Sequence, residues 1–201
     1  MMRKRVVVLI SGRGTNMAAL AEAVGDPAYP ASIVAVISDK VEAKGLNAAA
    51  ALGIEAKAIT RADYPTKEAL DAALDEELTL LRADIVCLAG YMRLLSPAFT
   101  QKWAGKLINI HPSLLPLFPG LDTHRRALEA GMRIHGCTVH FVTAEMDAGP
   151  IIAQAAVEVE TGDTESSLHE RIKKIERQLI VSVLRSATID ETTRKVEFIH
   201  E

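Results

Sequence analysis

Leu107-Ile108-Asn109-Ile110-His111-Pro112-Ser113-Leu114-Leu115-Pro116 is the stretch on which the fold of this chain turns. Its apolar opening predicts a buried strand. Asn109 and His111 stand two positions apart, and on a strand that spacing puts both side chains on one face. Pro112 lacks the N–H that a ladder needs, so the strand is expected to stop at His111. An amide and an imidazole are thereby delivered to the carboxyl end of a strand, where open α/β sheets bind their ligands.

Downstream, Thr138-Val139-His140-Phe141-Val142 reads as another strand. The turn-rich loop Ala144-Glu145-Met146-Asp147-Ala148-Gly149-Pro150 and then Ile151-Ile152 follow it. From such a loop Asp147 can reach a histidine at a neighbouring strand end. Asn, His and Asp together suit proton transfer beside a developing oxyanion. Singly, each has a plainer reading. A lone His at a strand end is usually structural, and an Asp before Gly-Pro is usually a turn residue.

Upstream, Arg5 to Ile10 is a β-branched run and predicts a buried strand. Ser11-Gly12-Arg13-Gly14-Thr15-Asn16 follows, and Met17 to Val24 reads as a helix. Strand, Gly-rich turn and helix is the layout that cradles phosphate on backbone N–H groups. The pattern is G-x-G-x-N, not the G-x-G-x-x-G of dinucleotide sites, and a plain tight turn capped by Thr15 or Asn16 fits it as well. Residues 32–37 read as a strand, 42–52 as a helix closed by Gly53, and 54–59 as a short strand. Residues 66–81 read as a helix behind Pro65, with Leu70, Ala73, Leu74, Leu78 and Leu81 at helical spacing. Residues 84–88 are a strand. In the following segment Met92 and Leu95 face the core, wall a ligand pocket, or both. A helix over 122–130, strands over 134–142 and 151–159, and a long helix capped by Asp163 or Thr164 complete the pattern. That helix carries the stripe Leu168, Ile172, Ile175, Leu179 and Val183, with Glu176 at its margin. Residues 195–199 suggest a terminal edge strand. The alternation predicts one α/β, Rossmann-like twisted sheet, mostly parallel in its first half and flanked by helices, in a single domain over residues 1–201.

The 201 residues are 49% hydrophobic and 24% charged, enough for one substantial core. A net charge of −3 gives no basic face for nucleic acid. Arg3-Lys4-Arg5 precedes only five apolar residues, too few for a secretory signal, and no window approaches a membrane span. Cys87 and Cys137 lie in apolar runs and read as buried free thiols of a cytoplasmic protein. His135-Gly136-Cys137-Thr138-Val139-His140 is not read as a metal site, because 135 and 137 share a strand face and 140 points the other way. The oligomeric state is open between monomer and homodimer.

Asn109-Ile110-His111-Pro112-Ser113-Leu114-Leu115-Pro116, Phe118-Pro119-Gly120, His140-Phe141-Val142-Thr143 and Asp147-Ala148-Gly149-Pro150-Ile151 together resemble the signature of the folate-dependent formyltransferases. The resemblance covers nearly the whole chain. It implies formyl transfer from 10-formyltetrahydrofolate to the amine of glycinamide ribonucleotide, without a metal. It implies that Asn109 and protonated His111 stabilise the oxyanion, and that Asp147 orients His111 and favours its charged form. It also implies that Gly14, Thr15 and Asn16 hold the ribose phosphate. Lys67 and Lys173 would face the ribonucleotide, and Glu176 would hold its amine. The pterin would be received by Met92, Arg93, Leu94 and Leu95 and by Thr143, Ala144, Glu145, Met146 and Asp147. Arg13, Leu117, Asp122 and Ala148 depart from the commonest pattern, which touches loop detail rather than the reaction. The alternatives are hydrolysis of the folate donor, formylation of another amine, and a non-catalytic nucleotide-binding module. The last leaves Asn109, His111 and Asp147 unexplained.

Overall fold

The structure is a computed structural model that describes residues 3–190 and 196–198. In chain order its elements are β1 (Lys4–Ile10), α1 (Thr15–Ala23), β2 (Ala31–Ser38), α2 (Lys44–Ala51), β3 (Glu55–Ala58) and α3 (Lys67–Leu80). Next come β4 (Ile85–Leu88), α4 (Pro97–Lys102), β5 (Leu107–His111), α5 (Thr123–Glu129) and β6 (Ile134–Phe141). The chain then runs through β7 (Ile151–Glu158), α6 (Glu165–Ser186), β8 (Ala187–Ile189) and β9 (Val196–Phe198).

Seven strands form one sheet in the order β3-β2-β1-β4-β5-β6-β7. The first five in that order run parallel, and β6 and β7 are antiparallel additions. The chain works outward from β1 to β3 and then returns to β4 on the other side of β1. The strand order therefore reverses between β1 and β4, and their carboxyl ends open the crevice typical of such sheets.

β1 is central and covered on both faces, which is why it reads as an unbroken apolar run. Val6, Val8 and Ile10 pack with Met17, Leu20, Ile180 and Leu184 beneath α1 and α6. Val7 and Leu9 pack with Leu70, Leu74, Leu78, Phe99 and Trp103 beneath α3 and α4. Fully burying one such aliphatic side chain stabilises the fold by about 1.5–3 kcal/mol.

Three expectations change. α1 begins at Thr15, so Thr15 and Asn16 are first-turn residues and Gly14 is the cap, with no side-chain capping bond. α4 was not foreseen, although Ser96 accepts from Phe99 N and Pro97 opens the helix. Val196–Phe198 is a strand, but it pairs antiparallel with β8 in a separate two-stranded sheet instead of edging the main one. Lys195 and Ile199 of that expectation lie outside the described residues.

Candidate active site

β5 presents Asn109 and His111 on one face, as their spacing requires. β6 pairs Asn109 with His140 and His111 with Thr138, so four polar side chains share that face. Asp147 comes from the β6–β7 connection by an indirect route. β6 ends beside the amino end of β5, where Val142 N bonds Leu107 O at 2.9 Å. The connection must then fold back over the polar face. Gly149 permits this: a Cβ there would lie 1.8 Å from the Phe141 carbonyl oxygen. Asp147 itself adopts a left-handed conformation, φ 53°, which Asp tolerates better than most residues.

The carboxylate of Asp147 is the hub. Its Oδ2 lies 3.4 Å from His111 Nδ1, a charge-pairing distance, and accepts from Gly120 N at 2.8 Å. Its Oδ1 lies 3.7 Å from His140 Nε2. His111 Nε2 meets the Phe118 carbonyl at 3.0 Å. Each nitrogen of the ring therefore faces an oxygen that can only accept.

His140 was not singled out from the sequence, yet it orients Asn109. Its Nδ1 lies 2.9 Å from the Phe141 carbonyl, which can only accept, so the proton sits there. Burial lowers the His140 pKa, opposed by the Phe141 carbonyl and Asp147. The neutral ring therefore accepts at Nε2 from Asn109 Nδ2, 3.2 Å away. One amide N–H of Asn109 is fixed and the other remains available to a ligand.

Thr138 was also missed. Its hydroxyl donates to Ser113 O at 2.7 Å and accepts from Leu115 N at 3.0 Å, pinning the segment after His111. Behind it His135, His124 and His169 form a chain, with 3.2 Å between successive ring nitrogens. Burial, then the neighbouring histidines, push His124 down to about 4. No spacing rule links residues so far apart in sequence.

The phosphate-loop group is partly assembled. Gly14 has φ 69°, and its capped helix start leaves first-turn N–H groups without a side-chain partner. α1 packs on α6, which brings Asn16 beside Glu176. Asn16 is 7% exposed, and its Oδ1 has no partner among the described residues. Burial pushes Glu176 up to about 7, with Asn16, Arg177 and Lys173 pulling it back. Lys173 Nζ bonds Glu170 at 2.6 Å. Lys67 opens α3, one turn before Asp71, which pairs with Arg93.

That segment leaves β4, and the Thr143–Asp147 segment leaves β6, on the two sides of β5. Met92 and Leu94 are each 64% exposed, whereas Leu95 is buried, so Met92 does not face the core. Leu117, Leu121 and Met146 are exposed as well, making an apolar rim around a polar floor. Gly120 packs against Met146, which closes the rim between the two loops. Thr143 Oγ1 donates to Glu145 O at 3.2 Å and braces the turn that contains Ala144.

A model of the family described as formyl transferase matches residues 4–184. The chain belongs to the formyl transferase family. It is 45% identical over 179 residues to phosphoribosylglycinamide formyltransferase of Escherichia coli, covering 89% of this chain and 84% of that protein. It is 48% identical over 183 residues to the trifunctional purine biosynthetic protein adenosine-3 of Bos taurus, covering 91% of this chain. It spans only 18% of that much longer relative. Among solved formyl transferase structures, phosphoribosylglycinamide formyltransferase from Brucella melitensis superposes with a TM-score of 0.88 at 55% identity, covering 91% of this chain and 94% of that one. The Brucella melitensis structure shares the seven-stranded sheet and its flanking helices.

Gly14 gives a first test. Its left-handed φ and the 3.1 Å between a built Cβ and Gly45 Cα leave no room for a branched residue. Gly14→Val is expected to weaken ribonucleotide binding, measured by calorimetry, and to spare folate binding. It should also cost about 1–3 kcal/mol of stability, read from denaturant melts. Unchanged ribonucleotide affinity in the folded variant would move the phosphate elsewhere.

Proposed function

We propose that the protein transfers the formyl group of 10-formyltetrahydrofolate to the amine of glycinamide ribonucleotide, a step of purine biosynthesis, in the cytoplasm. The observation that carries this is the convergence of Asn109, His111 and Asp147 on one floor between two loops with exposed apolar side chains. It needs no enzyme nucleophile, because the attacking amine belongs to the substrate. In keeping with that, Cys87 and Cys137 are buried, and burial pushes both thiols up to about 12.

Bound folate supplies an activated formyl carbon. The substrate amine forms a C–N bond to that carbon, and the carbonyl oxygen becomes an oxyanion. Asn109 Nδ2 donates to that oxygen, and the His111 imidazolium joins it through Nε2 once that nitrogen exchanges the Phe118 carbonyl for the oxyanion. Collapse breaks the bond from carbon to the folate nitrogen. The proton lost by the amine replaces it on that nitrogen, with His111 as the shuttle. The unpartnered Asn16 Oδ1, with Glu176 and Lys173 close by, supports placing the ribonucleotide at the start of α1.

The test is an absorbance assay of tetrahydrofolate release with both compounds present. Turnover that needs both is expected. Donor consumed without the ribonucleotide would make the protein a hydrolase of the donor, and no consumption would remove the reading.

Glu176 adds a pH signature. Folding raises its pKa to about 7, so the native state favours its protonated form. Near pH 3 both states are protonated and nothing is lost. As pH rises, the unfolded chain ionises first, near ~4.3, and native stability declines until the native carboxyl ionises near 7. Glu176→Gln should therefore match the wild type near pH 3 and exceed it at pH 8, by roughly 3–4 kcal/mol at most. A gap in thermal melts that stays constant with pH would contradict this.

A further inference from the structure

We propose that Ser11 is a positioning residue that couples the ribonucleotide site to the folate site, an inference that rests on the function proposed above. Ser11 directly follows β1 and opens the loop that leads into α1. Its N–H donates to Gly90 O at 3.0 Å, and its Oγ accepts from Met92 N at 2.8 Å. Ser11 itself is buried, and its bond to Met92 is partly buried. One residue of the phosphate loop thus holds the backbone on both sides of Tyr91, where the folate segment begins.

The far end of that segment is fixed independently. Asp71, buried on α3, accepts from Arg93 Nη2 at 2.9 Å and from Ser96 N at 2.8 Å. Between these anchors Met92 and Leu94 turn outward. Asp71 is rooted in α3, which packs on the face of β1 opposite α1, so it sets the segment without reporting on the ribonucleotide. Ser11 is rooted in the loop that would close around the phosphate. Ordering that loop fixes the Ser11 hydroxyl, which fixes Met92, and the second ligand then meets a segment already ordered. The reciprocal effect must be equal.

Calorimetry tests this without turnover. Tetrahydrofolate, which has no formyl group, is titrated into the protein with and without saturating glycinamide ribonucleotide. The ribonucleotide should tighten tetrahydrofolate by about fivefold or more in the wild type. In Ser11→Ala each compound should still bind alone, and the enhancement should vanish. In Asp71→Asn, tetrahydrofolate alone should bind more weakly, with the enhancement kept. No enhancement in the wild type, an undiminished one in Ser11→Ala, or its loss in Asp71→Asn would overturn the proposal. Failure of either compound to bind the wild type would instead overturn the function reading. Should Ser11→Ala not fold, hydrogen exchange on the wild type decides. Ribonucleotide alone should slow exchange at the Met92 amide, and an unchanged rate would overturn the coupling.

Discussion

His111→Ala is expected to lower kcat by about 10²–10⁴-fold with ribonucleotide affinity largely unchanged. That loss corresponds to about 2.7–5.5 kcal/mol of transition-state stabilisation. Two contributions vanish together. One is a charged donor to the oxyanion, and the other is the proton carrier between the amine and the folate nitrogen. In the proposed reading the ribonucleotide is held by a different part of the molecule, around Gly14, Asn16, Lys173 and Glu176, so its binding has no reason to follow. His111 also touches the Phe118 carbonyl, and its removal frees one point of the 112–122 segment. Thr138 still grips Ser113 and Leu115, and Gly120 still bonds Asp147, so the segment keeps its other anchors. Steady-state kinetics, with a melting curve to establish folding, make the check. A folded variant within about tenfold of wild-type kcat would take proton transfer away from His111.

The sequence made the most of local rules. A period of two was enough to place Asn109 and His111 together, and Pro112 was enough to end their strand. The long apolar stripe of α6 needed only the helical period. What stayed hidden depends on partners far along the chain. The orientation of β6 decides that Asp147 must arrive by folding back over a sheet face, and no local signal encodes that. The same antiparallel pairing puts His140 beside Asn109, so a residue that reads as mid-strand becomes the one that fixes the amide. Separating His140 from His135 and Cys137 by strand alternation was sound, but the alternation does not reveal the chain from His135 to His124 and His169. α4 has six residues, too few for periodicity, and only its Ser-Pro start could have flagged it. The pairing of β9 with β8 is likewise tertiary: the pattern foresaw a strand and not its partner. Lys67 was assigned by resemblance alone, and it opens α3.

Asp147→Asn separates charge from tethering. The substitution keeps size and one carbonyl oxygen, which can still accept from Gly120 N. It removes the negative charge that faces His111 at 3.4 Å and His140 at 3.7 Å. A neighbouring carboxylate favours the charged imidazole, and the oxyanion needs that charge. The expected result is a kcat about 10²-fold lower or worse, with little change in folate KM. Asp147→Ala should fall at least as far in kcat and should also raise folate KM. It loses the bond to Gly120, which joins the 112–122 segment to the β6–β7 connection, and the apolar rim formed by Leu117, Leu121 and Met146 loosens. The difference between the two variants measures the tether, and the fall common to both measures the charge. Near-normal turnover in Asp147→Asn beside a damaged Asp147→Ala would reduce Asp147 to a tether. Asn109 and His111 would then stabilise the oxyanion without it, and the return of the loop over the sheet would serve the folate pocket alone.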